Sequence, residues 1–352
     1  MRIAIDVSPI ENKDKIAHRV RGTGFYIENL KSALLKYFPD NQYTFFTRGE
    51  SLPKNIDLVH FPYFEPFFLT LPFKKSSKTV VTVHDLTPLV FPDHFKVGLR
   101  GRLKWEIQKQ VLKRVDNIIT DSQCSKKDII KHTGISGSKV HVVYLSAGEE
   151  FKKVQSSEYK VQSLRTKYNL PEKFALYVGD VTWNKNLPRI IEGVKDADIP
   201  FVMVGKALSE KDFDKFNPWN QDLVKIQKTI EGNKNFLRLG FVPTKDLVLL
   251  YNIATVFIMP SLYEGFGLPI LEAMSCGCPV VTSKEGSLPE IAGEAAFYVD
   301  AYDGKNISKG IKKVFSEKKL QRDLSQMGLS HVKNFSWEKT AKETISIYEN
   351  KI

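Results

Sequence analysis

The feature that most constrains this chain is an alternation of two hydrophobic periods. Short runs rich in Val, Ile, Phe and Tyr are followed, again and again, by longer stretches with apolar residues at helical spacing. That alternation is the signature of βαβ units and a parallel sheet. In the first half the runs at 2–7, 42–47, 56–61, 79–84, 116–121 and 139–145 read as strands, with helices near 24–37, 98–114 and 123–133. A second series begins at Phe174, with strands at 174–179, 201–205, 236–242, 256–260, 279–282 and 296–299. Its helices are expected near 186–195, 221–231, 244–253, 267–276 and 304–316, and stretches at 318–332 and 337–350 finish the chain. The reading is an α/β protein of two Rossmann-like domains.

Length agrees with that division, because 352 residues at about 150 per domain give two. The expected boundaries are 1–150 for the first domain and 173–335 for the second. A polar, Lys-rich connection with room for its own helix covers 151–172, and a C-terminal helix covers 336–352. Ligands of open α/β sheets bind outside the carboxyl ends of the strands, so two such domains are expected to face a central cleft. Residues just after strands are therefore the ones to inspect.

Charge narrows the partners. Lys and Arg number 52 and Asp and Glu 40, a surplus of 12 that favours nucleic acid, an acidic membrane or a phosphorylated ligand. The three cysteines, Cys124, Cys276 and Cys278, have no framework spacing, which argues for a reducing compartment. Cys276 and Cys278 read as small residues of a packed helix-to-strand turn, with no second pair to complete a zinc site. Met1-Arg2 runs straight into a strand pattern, and no run of about 18 apolar residues occurs, so a cytoplasmic protein is expected.

Four constellations follow strands. The strongest runs from Pro260 through Glu264, Gly265, Phe266, Gly267 and Leu268 to Glu272. A strand ends, a Gly-bearing loop follows and a helix opens near Gly267 and Leu268, an arrangement whose backbone N–H groups suit a diphosphate. One of its carboxylates can meet a sugar and the other can accept hydrogen bonds from vicinal hydroxyls; a helix cap and a solvated Glu are the plainer reading. The second is Gly179 to Lys185, a strand-end Gly with a Lys just before a helix. The helix dipole disfavours a cation there, which points to an anion, although a surface Lys is common. The third is Gly22-Thr23-Gly24 between the first strand and first helix, a weak G-x-G that a tight turn explains equally well. The fourth is His84-Asp85 at a strand's end, where His can orient a substrate or serve as hydrogen-bonded structure.

Other chemistries lack their motifs. G-x-S-x-G is absent, and so is the P-loop pattern. Asp212-Phe213-Asp214 fits a D-x-D pattern but lies in a polar stretch and reads as solvated surface, so no metal site is expected.

Together these features resemble the retaining glycosyltransferases of family 4, with the two-domain GT-B architecture. The resemblance rests on E-x7-E from Glu264 to Glu272, Gly286-Ser-Leu-Pro-Glu290, Lys185-Asn-Leu, Leu239-Gly-Phe-Val242, Ser122-Gln-Cys-Ser-Lys126 and His84-Asp85. It implies that Glu264 contacts the donor sugar, Glu272 holds the ribose and Lys185 neutralises the diphosphate. It assigns Gly265 to Leu268 to phosphate and sugar, Gly24 to the donor phosphate from the first domain, His84 to the transferring sugar, and Gly240, Phe241 and Val242 to the neighbourhood of the base. It implies front-face transfer with retention and without metal, from a GDP- or UDP-linked sugar that is substrate and not cofactor. Many relatives carry Arg after the strand-end Gly, where this chain has Asp180; Arg19 or Arg21 is the candidate substitute. Lys185-Asn-Leu-Pro188 resembles a subgroup of bacterial polysaccharide assembly that transfers mannose or related hexoses. The last helix, with Trp337, resembles the family's segment that crosses back to the first domain.

The acceptor expectation is a glycan or a lipid-linked oligosaccharide. Residues 61–73 are aromatic and Pro-broken, and residues 96–114 carry seven Lys or Arg and one acid. A basic amphipathic helix suits peripheral contact with an anionic membrane, at the inner face; an ordinary surface helix over a buried loop is the other reading. Residues 1–150 hold 23 basic and 16 acidic side chains, 23 − 16 = +7, against +5 for the remainder, which leans toward the membrane and away from nucleic acid. A different nucleotide-sugar enzyme of the same architecture, an epimerase or hydrolase, is the competing enzyme reading.

Overall fold

The computed structural model describes residues 1–11, 21–75, 77–154, 157–210 and 212–350, apart from the side chains of Arg21 and Pro218. The chain divides into two compact units, one of residues 1–146 with 335–352, the other of residues 147–334. The stretch 151–172, expected as a connection, thus belongs to the second unit and carries the helix Glu158–Tyr168.

The first unit is built on strands β1 (Arg2–Asp6), β2 (Gln42–Phe46), β3 (Leu58–Phe61), β4 (Lys78–Thr82), β5 (Asn117–Thr120) and β6 (Val140–Val142). They form one parallel sheet in the order β2-β1-β3-β4-β5-β6. Strands covered on both faces read as continuous apolar runs, as Ile3-Ala4-Ile5 and Val80-Val81 do here, all at most 2% exposed. The helix Gln123–Thr133 shows why its ends fall where they do: Ser122 caps it by accepting from Ser125 N at 3.0 Å, and Gly134 closes it in the left-handed region.

The chain's last helix, Trp337–Tyr348, is part of this unit and packs on the helix Arg21–Tyr37. A buried polar chain secures it. The Tyr348 hydroxyl pairs with His60 Nδ1 at 2.6 Å, His60 Nε2 with Thr82 Oγ1 at 2.8 Å, and Thr82 Oγ1 with the Tyr26 hydroxyl at 3.1 Å. Every polar group in this chain finds a partner, which is the condition for burying such groups at all. Burial and the neighbouring His84 push the His60 pKa down to about 3, so the ring is neutral.

The second unit carries β7 (Ala175–Val178), β8 (Phe201–Val204), β9 (Phe236–Gly240), β10 (Val256–Met259), β11 (Val280–Ser283) and β12 (Phe297–Val299). The sheet is parallel, in the order β12-β11-β10-β7-β8-β9. Here β7 and β10 are neighbours, with Ala175 opposite Val256 and Leu176 opposite Phe257. Helices Leu187–Ala197 and Gly304–Ser316 pack on each other, burying Ile190, Ile191, Val194, Ile307 and Ile311 against the sheet.

One expectation is corrected. Gly22-Thr23-Gly24 is not a loop between strand and helix; it forms the first turn of the helix Arg21–Tyr37. Glycine disfavours helix by about 1 kcal/mol, so local preference places the start later, whereas the helix begins at Arg21. Among the described residues a Cβ at Gly22 would meet nothing within 4 Å, and one at Gly24 would sit in ordinary contact with Ile10 at 3.5 Å.

Candidate active site

In the second sheet the strand order reverses between β7 and β10, the point at which an open α/β sheet forms a crevice beyond its strand ends. The loops leaving these two strands carry Gly179 and Lys185 on one side and Glu264, Gly265, Phe266 and Gly267 on the other. Two asparagines stitch the loops together. Asn184 Nδ2 donates to the Tyr263 carbonyl at 3.0 Å, and the Asn184 carbonyl accepts from Leu262 N at 2.7 Å. Asn186, in the left-handed region at φ 59°, donates from Nδ2 to the carbonyls of Pro260 at 3.0 Å and Ala301 at 2.7 Å. An Asn tolerates that backbone conformation and spends its amide on the buried carbonyls.

Lys185 sits between these two locks. Its ammonium donates to both oxygens of Glu264, at 2.8 and 2.7 Å. The Glu264 loop is in turn held from below by Ser287, whose hydroxyl donates to the carbonyls of Glu264 at 3.0 Å and Phe266 at 2.8 Å. This approach needs Gly286: a Cβ there would lie 2.7 Å from the Glu264 carbonyl oxygen, and φ is +60°. The helix Leu268–Ser275 then opens directly after Gly267. Pro269 has no N–H and Ile270 N donates to the Gly267 carbonyl at 2.9 Å, so the amides that could meet an anion are those of the Gly265–Leu268 stretch leading into the helix.

Glu272 lies on the same helix and is buried, accepting from the Tyr251 hydroxyl at 2.9 Å. Burial pushes its pKa up to about 7, with the Tyr251 hydrogen bond pulling down and the charge of Glu150 pushing up. The row of strand ends continues across the sheet. Gly179 N donates to the Val204 carbonyl and Gly205 N to the Gly240 carbonyl, both at 3.0 Å, which places Gly240 two strands from β7. Beyond it Phe241 is exposed and Val242 is buried. Asp180 exposes its side chain, while its carbonyl accepts from the buried Tyr177 hydroxyl at 2.7 Å. Of its two candidate substitutes, Arg19 lies outside the described residues, and so does the side chain of Arg21.

In the first unit His84 follows β4 and Asp121 follows β5. His84 Nδ1 and Asp121 Oδ2 are 2.7 Å apart, and the Tyr26 ring meets the imidazole edge-on with centroids 4.9 Å apart. Burial alone would lower the His84 pKa, but the charge and hydrogen bond of Asp121, helped by Asp85, raise it above the ordinary value. Burial raises Asp121, and His84 pulls it part of the way back. The pairing dedicates Nδ1 to the carboxylate, while Nε2 is buried without a hydrogen bond of normal geometry, and the Pro62 backbone carbonyl also helps raise the His84 pKa.

Sequence reasoning singled out Lys185, Glu264, Glu272 and His84 but not the residues that hold them: Asn184, Asn186, Ser287, Tyr251 and Asp121. Gly286 and Ser287 had a signal, since they stand in the motif Gly286-Ser-Leu-Pro-Glu290. The cysteines are free thiols; burial pushes Cys276 up to about 12 and Cys278 higher, so both are inert filling. Among the described residues no group of three or more His, Cys, Asp or Glu is placed to hold a metal ion, and no helix is long and apolar enough to cross a membrane.

Two parallel six-stranded sheets, with a site built at the switch point of the second, define the GT-B class of glycosyltransferase folds. Residues 9–146 match the model for Glycosyltransferase Family 4, and residues 161–331 match that for Glycosyl transferases group 1. The chain belongs to this glycosyltransferase family. It is 30% identical over 274 residues, 75% of its length, to the serotype-specific mannosyltransferase WbdA of Escherichia coli, of whose length it spans about a third, 32%. It is 29% identical over 286 residues to O-antigen chain mannosyltransferase B of the same organism, covering 78% of this chain and 71% of that one. Among solved structures, Anabaena HepE in complex with UDP-glucose superposes with a TM-score of 0.72 at 16% identity, covering 100% of this chain and 99% of that one.

Proposed function

We propose that the protein is a hexosyltransferase that moves a mannose-like sugar from a GDP- or UDP-linked donor to a glycan or lipid-linked acceptor in polysaccharide or O-antigen type biosynthesis, with retention and without a metal. The observation that carries this reading is the bidentate Lys185–Glu264 pair at the switch point, beside a helix opening and eight residues before the buried Glu272. A nucleoside diphosphate needs cation, amide and carboxylate in that company: a charge for the phosphates, N–H groups for their oxygens, and an acceptor for the ribose hydroxyls.

Each residue then has a task. Lys185 and the amides of Gly265 to Leu268 stabilise the charge that develops on the departing diphosphate, the kind of preorganised electrostatics that carries much of enzymatic rate enhancement. Glu264 meets the sugar and Glu272 the ribose. Gly240, Phe241 and Val242 flank the base, with exposed Phe241 available to cover its face. His84, oriented by Asp121, holds a hydroxyl of the transferring sugar. Gly179 leaves the backbone open to the phosphates. The relatives' printed names supply mannose and O-antigen, and the charge of the first unit supplies the peripheral membrane contact.

Thermal unfolding with UDP-, GDP- and ADP-linked sugars tests the donor assignment. One of these raises the melting temperature of the wild type, and Glu272→Ala and Lys185→Ala abolish the rise. A chain that none of them stabilises does not bind a donor of this class.

A further inference from the structure

The first unit contains a hollow that the donor site does not use. Parallel β3 and β4 are joined by residues 62–77, and among the described residues of that crossover no helix forms. A parallel crossover normally lays a helix over the sheet face. Here an aromatic loop takes that place, tied down where Gln108 Oε1 accepts from Thr70 N at 2.9 Å and Leu71 N at 2.8 Å. A loop covers less sheet than a helix does, and a cavity of about 390 Å³ remains under it. That volume falls within the range of small-molecule sites, roughly 300–1,000 Å³.

Its chemistry is two-part. Phe46, Val59, Phe61, Leu71, Val111 and Val115 make an apolar wall. Around it stand Arg48, Lys74, Lys75 and Arg114, against a single carboxylate, Glu50, which is engaged by Thr47 N at 2.8 Å. Arg48 pairs with Asp6 and Lys75 with Asp116, whereas Lys74 and Arg114 have no ion pair among the described residues. Two further lining residues, Leu69 and Phe73, are 46% and 60% exposed, so the apolar surface continues outward to solvent. An apolar pocket with a cationic rim matches neither a sugar nor a neutral hydrocarbon. It matches a molecule with a hydrocarbon tail and a phosphate at its end.

We propose that this hollow binds the hydrocarbon chain of a single-chain lipid phosphate, with the tail against Phe61, Leu71 and Val111 and the phosphate between Lys74 and Arg114. The assignment rests on the glycosyltransferase reading only in making such a lipid the acceptor's carrier; the pocket's chemistry stands without it.

The test is titration of the full chain with dodecyl phosphate below its micellar concentration, alongside inorganic phosphate, dodecyl maltoside and phosphatidylglycerol vesicles. The expected result is saturable binding of one dodecyl phosphate, at least tenfold tighter than either inorganic phosphate or dodecyl maltoside. Val111→Trp, which fills the cavity, and Lys74→Glu with Arg114→Glu each weaken it at least tenfold. Leu69→Glu, at an exposed position of the mouth, gives the same loss if Val111→Trp does not fold. Retained nucleotide-sugar stabilisation in these variants separates loss of the lipid site from failure of the donor reading. Absence of saturable binding, equal binding of inorganic phosphate or dodecyl maltoside, indifference to Leu69→Glu, or adsorption to vesicles without binding of the monomer overturns the proposal.

Discussion

The Lys185 ammonium bridges both carboxylate oxygens of Glu264, 79 positions further along the chain. The pair is nearly dry on the acid side, with Glu264 8% exposed and Lys185 23%. A diphosphate arriving at this site must draw Lys185 away from a partner it already has. Two opposite effects follow. Lys185→Met leaves Glu264 buried without its cation, destabilises the second unit by about 1–3 kcal/mol and weakens nucleoside diphosphate binding at least tenfold. Glu264→Gln frees the ammonium, so the diphosphate binds as tightly or more tightly while transfer falls by a factor of ~100 or more. Calorimetric binding of the donor's nucleoside diphosphate, set beside turnover of the intact donor, separates the two. Equal losses of diphosphate affinity in both variants would mean that the pair is structural only.

If Glu272 holds the ribose as proposed, nucleotide binding depends on pH. Its pKa, raised to about 7 by burial, leaves it largely protonated below neutrality in the free protein. Ribose hydroxyls that donate to it favour the carboxylate, so binding releases a proton below about pH 7. Affinity for the donor rises with pH up to that point and then levels. For folding the direction is reversed: the raised pKa costs stability progressively from the ordinary carboxyl pKa up to about 7 and leaves the full cost above it. Calorimetry in buffers of different ionisation heat counts the released proton, and Glu272→Gln removes it. A donor affinity that is flat between pH 5.5 and 8 would dissociate Glu272 from the ribose.

What the sequence made legible and what it hid divide along a physical line. Strand ends, Glu264, Glu272 and Lys185 are local facts: a β-branched run stops, a Gly or a charge follows, a helix begins. The expected strands at 42–47, 201–205 and 256–260 accordingly fall within a residue of those found. The locks are not local. Asn184 meets Tyr263 only because β10 lies beside β7 in the sheet, Ser287 meets Glu264 only because β11 lies on the other side of β10, and strand order is not written in the alternation. The helix Arg21–Tyr37 shows the other limit, since glycines 22 and 24 argue against a helical turn that the structure nevertheless has.

Under the proposed function, Asp121 would act on the chemistry through His84. With Nδ1 committed to the carboxylate, Nε2 is the nitrogen that the proposed function would turn to the sugar. Asp121→Asn lowers the His84 pKa, because the charge that raises it is gone while burial remains. The raised pKa of the wild type contributes stability below the ordinary histidine pKa that is lost as pH rises through the folded value, so the variant loses most stability in acid. NMR titration of the imidazole reports the fall directly. Turnover drops by a factor of ~10–100 with little change in KM, as expected of a group that positions another. An Asp121→Asn variant with wild-type imidazole titration would show that Asp85 and burial alone set the state of His84.

The buried chain from Tyr348 to Tyr26 sets the acid limit of the first unit. His60 is neutral inside the fold, with a pKa near 3, and becomes protonated in the unfolded chain below the ordinary histidine value. Its contribution is complete above about pH 6.5 and declines as pH falls toward 3, the reverse of His84. Tyr348→Phe removes the partner of Nδ1 and leaves a buried imidazole nitrogen unsatisfied, a cost of about 1–3 kcal/mol. His60→Phe with Tyr348→Phe removes both polar groups and costs less than the two single losses added together. Urea unfolding at pH 7.5 and 5 measures both effects. The double variant should lose the part of the acid sensitivity that His60 supplies, and an unchanged dependence on pH would move the acid limit of this unit to another group.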